Sequence, residues 1–536
     1  MPNAGTAVAT FRVLVSDPIE ETGFSALHDV AKVDVKTDLT PEQLLQVIGE
    51  YDALMVRSQT KVTAAVIEAG KKLRIIGRAG VGVDNIDVPA ATRRGIVVVN
   101  SPAGNTIAAA EHTLALMLAL ARHVAPADAS VKRGEWKRSQ FTGAELFNKT
   151  LGVLGLGKIG SHVAKVAQAM GMKVVGFDPF VTPERAEELG VTLGSVEDVV
   201  KQADFITVHV PKTPETTNLL NAAMLAKAKP GVRLINCARG GIIDEAALVD
   251  AIASGQVAGA ALDVFEKEPL ENDALRQLGN KVVLTPHLGA STEEAQLNVA
   301  IDVAEQIAEY LRGGEARSAV NIPNLRPELM ASLRPMFGLA EKLGSVAAQL
   351  ADGPIEAVEI AYLGSLADQE VKPLTTAVMK GLLTPALGID GVNFVNATYL
   401  AKERGVHVTE VKSQEETEYV DLIRVRVRTQ ERERVVAGTL MGNDILSIVA
   451  VDEYAFNLFI KGSMLFAPHQ DVPGTIGKVG TLLGENNLNI FGMQLGRSAV
   501  RGPALMVLNL DDEVPDTVLD QVRKLPGFFD VKLVKA

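Results

Sequence analysis

Three short segments carry side chains suited to moving a proton and holding an anion, and each follows an apolar run. Arg233-Leu234-Ile235-Asn236 leads into Cys237-Ala238-Arg239-Gly240. Gly259-Ala260-Ala261-Leu262-Asp263 leads toward Glu268-Pro269, and Val282-Val283-Leu284-Thr285-Pro286 leads into His287-Leu288-Gly289. An arginine in such a loop can hold a carboxylate bidentately and polarise an adjacent carbonyl. Alone it reads equally well as a structural ion pair, just as a lone histidine more often packs than catalyses and a lone glutamate is usually solvated. Together, Arg239, Glu268 and His287 supply a cation, a base and a carboxylate to orient that base.

A second cluster is built for phosphate. Leu151-Gly152-Val153-Leu154 runs straight into Gly155-Leu156-Gly157-Lys158-Ile159-Gly160 and a helix through Met170. The first glycine permits the turn, the second lets a pyrophosphate approach the backbone, and the third lets helix and strand pack closely. Such a glycine pattern by itself is weak evidence. Its context is stronger, because Lys173-Val174-Val175-Gly176-Phe177 places Asp178 at the end of the next strand, where a ribose diol would lie. A carboxylate there repels a 2′-phosphate, so NAD is expected over NADP.

These loops need elements to hold them. Short runs such as Arg12-Val13-Leu14-Val15, Asp52-Ala53-Leu54-Met55-Val56, Arg74-Ile75-Ile76-Gly77 and Ile96-Val97-Val98-Val99 alternate with helical stretches. That pattern predicts parallel sheets with helices on both faces, and loops after such strands line the ligand crevice. A second α/β series starts at Thr150. Helices expected over 111–122 and 292–312 would bridge the two lobes, and Pro323, Pro327 and Pro335 mark a boundary. Residues 355–362 and 420–429 alternate as strands do. The block 457–536 reads strand, helix, strand, strand, helix, strand, a ferredoxin-like arrangement. The expected class is therefore α/β, with two doubly wound Rossmann-like lobes, then an α+β intervening domain and a ferredoxin-like domain. The expected bounds are 1–105 with 288–322 for the substrate-binding lobe, 106–287 for the NAD-binding lobe, 325–453 and 455–536.

Bulk properties exclude other classes. A formal charge of −12 over 536 residues opposes nucleic-acid and anionic-membrane binding. A single cysteine, Cys237, excludes an intramolecular disulfide and a multi-cysteine metal centre, and no metal site is expected. Neither a leader nor a long uncharged apolar stretch is evident, so a cytoplasmic enzyme is the expectation.

The glycine turn with Asp178, the segment Asn236 to Gly240, Asp263 to Pro269, and Pro286 to Gly289 occur in the order that resembles the D-2-hydroxyacid dehydrogenase family, over about residues 10 to 322. The resemblance implies that Arg239, Glu268 and His287 are the catalytic set. His287 would take the hydroxyl proton as hydride leaves C2 for NAD, and Glu268 on its other ring nitrogen would stabilise the imidazolium. It implies a cofactor site of Gly155, Gly157, Lys158, Ile159, Gly160, Asp178, Val210, Cys237, Ala238, Arg239, Asp263, His287, Gly289 and Ala290. Cys237 fills space there rather than acting as a nucleophile.

Within the family, Arg57-Ser58-Gln59-Thr60 is similar to the segment facing the substrate in members that act on D-3-phosphoglycerate. The loop Gly80-Val81-Gly82-Val83-Asp84-Asn85 has amides for a substrate carboxylate, with Asn105 nearby. Arg57, Ser58, Val81, Gly82, Asn105 and Arg239 are the substrate-binding expectation. The C-terminal block, with His469-Gln470-Asp471-Val472-Pro473-Gly474 and Asn489, resembles the ACT domain, a small amino-acid-binding module. His469, Asp471 and Asn489 are the expected L-serine site. A catalytic unit, an intervening block and an ACT domain resemble the long-form members that enter serine biosynthesis. The resemblance further implies a homo-oligomer, dimer or tetramer. A glyoxylate or hydroxypyruvate reductase could use the same triad but needs neither extra domain. A formate dehydrogenase has no use for Glu268. A non-enzymatic NAD-sensing corepressor of this fold carries a disordered tail where this chain keeps apolar periodicity.

Overall fold

The structure, a computed structural model, describes residues 11–322, 327–389, 391–415, 417–442 and 445–535, with the side chains of 327–332 left outside the description. β-branched apolar runs form its strands, as expected where both faces of a sheet are covered. Five parallel strands lie in the order Ala31–Val35, Phe11–Val15, Ala53–Val56, Ile75–Arg78, Val97–Val99. Seven more form a second parallel sheet in the order Val282–Leu284, Val257–Leu262, Val232–Asn236, Phe205–Val208, Thr150–Leu154, Lys173–Phe177, Thr192–Leu193. Val13, Leu14, Leu54, Ile76, Val153, Ile206 and Leu234 are all 0% exposed. Each such side chain contributes about 1.5–3 kcal/mol by burial.

In the second sheet, Thr150–Leu154 pairs with Lys173–Phe177 on one side and with Phe205–Val208 on the other. The strand order reverses at that point, which opens a crevice at the carboxyl ends of the strands. The connecting helix expected over 111–122 begins earlier, at Thr106, and runs to Arg122. Its first turn, Thr106-Ile107-Ala108-Ala109, carries an apolar residue on its exposed side, so it shows no polar–apolar contrast to mark a start. The return helix is Glu293–Leu311, and the Thr292 hydroxyl caps it by accepting from Ala295 N. No single helix among the described residues is long and apolar enough to cross a membrane.

Pro335 lies inside a helix, Pro327–Leu350, rather than at a boundary. The buried face of Leu333, Met336, Leu339, Ala340 and Leu343 carries the helix past the proline. Pro323 falls outside the described residues. The strand expected over 355–362 is Ile355–Gly364 and that over 420–429 is Asp421–Thr429. They belong to a six-stranded mixed sheet that ends with the hairpin Ile445–Val451 and Tyr454–Phe459. The last block has the order Ile490–Arg497, Pro503–Leu510, Ser463–Gln470, Lys532–Lys535, with helices Thr475–Glu485 and Asp516–Arg523. This ferredoxin-like sheet begins at Ser463, not at 455, because Tyr454–Phe459 pairs with the preceding sheet. Met464, Phe466, Leu505 and Val507 share a core with Leu350, Val451 and Tyr454 of the block before.

Candidate active site

His287 follows the strand Val282–Leu284 and sits in the left-handed region at φ 59°. That conformation is uncommon for a side chain with a Cβ and survives only where its surroundings over-determine it. Here Asp263, 0% exposed, does so. Its Oδ1 accepts the Leu288 N–H at 2.7 Å and the Thr285 hydroxyl at 2.6 Å, and its Oδ2 accepts the Gly289 N–H at 2.8 Å. The Asp263 carbonyl accepts the His287 N–H at 2.9 Å. His287 Nδ1 then meets Glu268 Oε2 at 2.8 Å, while Glu268 Oε1 accepts the Phe265 N–H at 3.1 Å. Glu268 is thus itself held, and the pair leaves Nε2 of the ring as the group available for proton transfer.

Arg239 follows the strand Val232–Asn236, where Asn236 fixes the turn by accepting from Ala238 N at 3.0 Å and donating to Arg239 O at 2.9 Å. A Cβ on Gly240 would lie 1.7 Å from Phe265 O, so the turn packs against the segment that carries Glu268. The guanidinium crosses to the first lobe. A Cβ on Gly82 would lie 2.2 Å from Arg239 Nη2, and Asp84 stands 3.6 Å from Arg239 Nε. Asp84 is 80% exposed, so this pair holds the arginine weakly and an anionic ligand can replace it.

The first lobe adds two more cations. Arg57 follows the strand Ala53–Val56, with exposed Ser58 beside it. Arg78, which the sequence did not single out, ends the strand Ile75–Arg78, and its Nε donates to Asn85 Oδ1 at 2.9 Å. Asn85 Nδ2 donates to Arg57 O at 2.8 Å and to Thr60 O at 2.7 Å, so one buried amide ties the two arginine segments together. Burial first, then the charges of Arg239 and Arg57, lower the Arg78 pKa from its ordinary value. Three guanidinium groups that repel one another around one cleft form a site that a multiply charged anion relieves. Val81 O accepts from Asn100 Nδ2, and Asn105 Oδ1 is buried with no hydrogen-bond partner among the described residues, an acceptor left for a ligand.

The residues of the glycine turn fit a dinucleotide. Gly155 has φ 99°, and a Cβ on Gly160 would lie 1.9 Å from Gly155 O, so turn and helix demand both glycines. A Cβ on Gly157 would meet nothing within 4 Å, which leaves the open approach that a pyrophosphate needs. Val210 is buried and backs the turn, and the helix Lys158–Ala169 starts with Lys158 exposed and Ile159 half-buried. Asp178 Oδ2 accepts the Leu156 N–H at 2.8 Å and Oδ1 the Phe180 N–H at 2.9 Å, which sets a carboxylate beside the turn. Gly289 and Ala290 continue the His287 loop toward the helix Glu293–Leu311. Among the cofactor expectations, Cys237 is half-buried, and desolvation pushes its thiol pKa up to about 12. Asp263 acts first as the organiser of the His287 loop. His112 was also missed: its Nε2 reaches Asp263 Oδ1 at 3.1 Å and Thr285 Oγ1 at 3.3 Å from the connecting helix.

The three residues expected to bind serine do not meet within the chain. His469 is 1% exposed and stacks on Phe528 with ring centroids 5.3 Å apart, while its Nδ1 lies 3.0 Å from Ala467 O. Expected as a hydrogen-bonding partner of serine, the ring is buried within the single chain. Alternation along Ser463–Gln470 puts it on the same inward face as Leu465 and Ala467. Asp471 faces Arg497 at 3.7 Å, and Asn489 Nδ2 donates to Asp511 at 2.6 Å.

Fold and site together define an NAD-dependent dehydrogenase. Residues 114–289 match the D-isomer specific 2-hydroxyacid dehydrogenase NAD binding domain, 332–452 the D-3-phosphoglycerate dehydrogenase intervening domain, and 464–527 the ACT domain. The D-3-phosphoglycerate dehydrogenase of Synechocystis sp. is 55% identical over 98% of this chain and 94% of its own length. That of Bacillus subtilis is 44% identical over 98% and 99%. The chain belongs to the D-3-phosphoglycerate dehydrogenase family. Among solved structures, the TT0316 protein of Thermus thermophilus superposes with TM-score 0.53 at 35% identity, covering 58% of this chain and 99% of that one. The NAD+-bound 3-phosphoglycerate dehydrogenase of Entamoeba histolytica gives 0.50 at 29% identity, over 59% and 100%.

Proposed function

We propose that this chain oxidises D-3-phosphoglycerate to 3-phosphohydroxypyruvate with NAD, the step that opens L-serine biosynthesis. The observation that carries the reading is the pairing of one acid–base couple, His287 with Glu268 at 2.8 Å, with three arginines converging from two lobes. A substrate with a carboxylate at one end and a phosphate at the other uses all three. Full-length similarity to D-3-phosphoglycerate dehydrogenases supports the same substrate.

Arg239 holds the carboxylate, with the amides of Val81 and Gly82 beside it, and neutralises charge developing on the C2 oxygen. Arg57, Ser58 and Arg78 receive the phosphate, and Asn105 offers its unpartnered oxygen to a hydroxyl. His287 Nε2 takes the C2 hydroxyl proton, and Glu268 holds the ring and stabilises its charged form, help worth roughly 10²- to 10⁴-fold. NAD, held by Gly155, residues 157–160, Asp178, Val210, residues 237–239, Asp263, His287, Gly289 and Ala290, supplies the hydride acceptor when bound. Asp178 selects against a 2′-phosphate.

The wider reading includes feedback by L-serine at the ACT domain and self-association. Asp471 and Asn489 lie at strand and loop ends, where a second ACT domain would have to complete the site. Exposed apolar residues on the helices Thr106–Arg122 and Val124–Lys132, among them Ile107 at 52% and Val131 at 55%, with Trp136 at 80%, support a homodimer or higher assembly. One cysteine, and so no intramolecular disulfide, supports a cytoplasmic location. The test is NADH oxidation against phosphohydroxypyruvate, hydroxypyruvate, glyoxylate and pyruvate. The phosphorylated acid should be preferred at least tenfold in kcat/KM, and preference for any of the others refutes the substrate.

A further inference from the structure

Arg57 has room to swing, because it borders a cavity of about 390 Å3 together with Pro18, Gln296 and Leu297. An arginine side chain has many rotamers, and a site that leaves it free loses that entropy on binding. Two residues outside the proposed machinery remove this freedom. Asp17, 1% exposed at the end of the strand Phe11–Val15, spends its carboxylate on the loop that carries Arg57. Its Oδ2 accepts the Arg57 N–H at 2.6 Å and the Gln59 N–H at 3.2 Å, and its Oδ1 accepts the Thr60 N–H at 2.9 Å and the Thr60 hydroxyl. A buried carboxylate with four donors from one turn fixes the backbone from which the arginine departs. At the far end of the side chain, Arg57 Nη1 donates to Gln296 Oε1 at 3.3 Å and to Pro18 O at 3.4 Å. Gln296 lies in the first turn of the helix Glu293–Leu311, a few residues after His287, so it ties the guanidinium to the segment that carries the base.

We propose that Asp17 and Gln296 are positioning residues for the phosphate end of the substrate: Asp17 sets the loop and Gln296 fixes the direction of the Arg57 guanidinium. This rests on the assignment of Arg57 to the phosphate. Preorganised charge-assisted hydrogen bonds are the strong ones, so misdirecting the cation should weaken phosphate binding about tenfold. The deficit should be confined to substrates that have a phosphate.

The experiment compares KM and kcat for phosphohydroxypyruvate and hydroxypyruvate in Gln296→Leu, Asp17→Asn and Arg57→Ala, each checked by thermal unfolding. Gln296→Leu should raise KM for phosphohydroxypyruvate about three- to tenfold, with kcat and the hydroxypyruvate KM within twofold of wild type. Asp17→Asn should do the same more strongly. If Asp17→Asn does not fold, Gln296→Leu decides the matter alone, since its side chain is half-buried and makes no other hydrogen bond among the described residues. Equal losses on both substrates, or no loss with Gln296→Leu, overturn the proposal. Should Arg57→Ala leave the preference for the phosphorylated acid intact, the phosphate assignment itself fails, which separates the two ideas.

Discussion

Each lobe of the catalytic unit places a buried aspartate after an apolar strand and spends it on a loop, but the loops are held in different ways. In the second lobe Asp263 takes two amides and a hydroxyl, and its carbonyl takes the His287 N–H, so the loop is forced into a left-handed turn at φ 59°. In the first lobe Asp17 takes three amides and a hydroxyl around a bend that has no residue in the left-handed region, and the side chain that matters, Arg57, leaves that turn on a long flexible stem. The difference follows from what each group does. A proton transfer needs a ring at a fixed place and angle, whereas neutralising a phosphate needs charge within reach, so backbone strain is concentrated on the base and not on the cation.

The largest effect should come from breaking the second-lobe loop. Asp263→Ala leaves two amides and a hydroxyl without their acceptor, and should cost about 3–5 kcal/mol of stability and roughly 10³-fold in kcat. Denaturant unfolding and steady-state rates check it, and a variant with near-normal turnover would show that the loop holds itself. Glu268→Gln removes only the charge opposite the ring and keeps an acceptor, so a smaller loss in kcat, about 10- to 100-fold, is expected. A loss as large as that of Asp263→Ala would mean that Glu268 reacts directly.

The third expectation concerns His209, at the end of the neighbouring strand Phe205–Val208. Burial pushes its pKa down to about 4 from 6.5, so the folded protein keeps a neutral ring where the unfolded chain would bind a proton. That contribution is fully present above pH 6.5 and is lost as pH falls toward 4, at most about 3 kcal/mol. Unfolding free energies at pH 7.5 and 4.5 should diverge less in His209→Gln than in wild type, and identical slopes would place the ring in solvent. The smallest effect is a rate not seen. With the Cys237 thiol pushed up to about 12 by burial, iodoacetamide at pH 8 should label the native protein far more slowly than the unfolded one. Fast native labelling would open the packing beneath the Arg239 loop.

What could be read in the sequence was local. The glycine turn, the strand before it and Asp178 sit within thirty residues, and Gly160 answers a steric demand that Gly155, in the same turn, creates. The role of Arg78, and the tie that Asn85 makes between its loop and Arg57, show only once two strands of the first sheet lie side by side. His112 lies inside an alanine-rich helix, and its partners Asp263 and Thr285 are more than a hundred residues away. Asp17, followed by Pro18, looks like the start of a turn, and nothing nearby reveals that it captures a loop some forty residues on. The burial of His469 is not legible for a different reason: both faces of Ser463–Gln470 are covered, so the strand shows no apolar–polar alternation that separates an inward from an outward side.

Under the proposed function the lobes divide the work, with proton transfer in the second and phosphate recognition in the first. The decisive measurement is the ratio of kcat/KM for phosphohydroxypyruvate over hydroxypyruvate in His287→Asn and in Arg57→Ala. His287→Asn should lower both rates by about 10³-fold and leave the ratio within twofold of wild type. Arg57→Ala should collapse the ratio at least tenfold while keeping turnover of hydroxypyruvate. A ratio that falls in His287→Asn, or one that survives in Arg57→Ala, would contradict it.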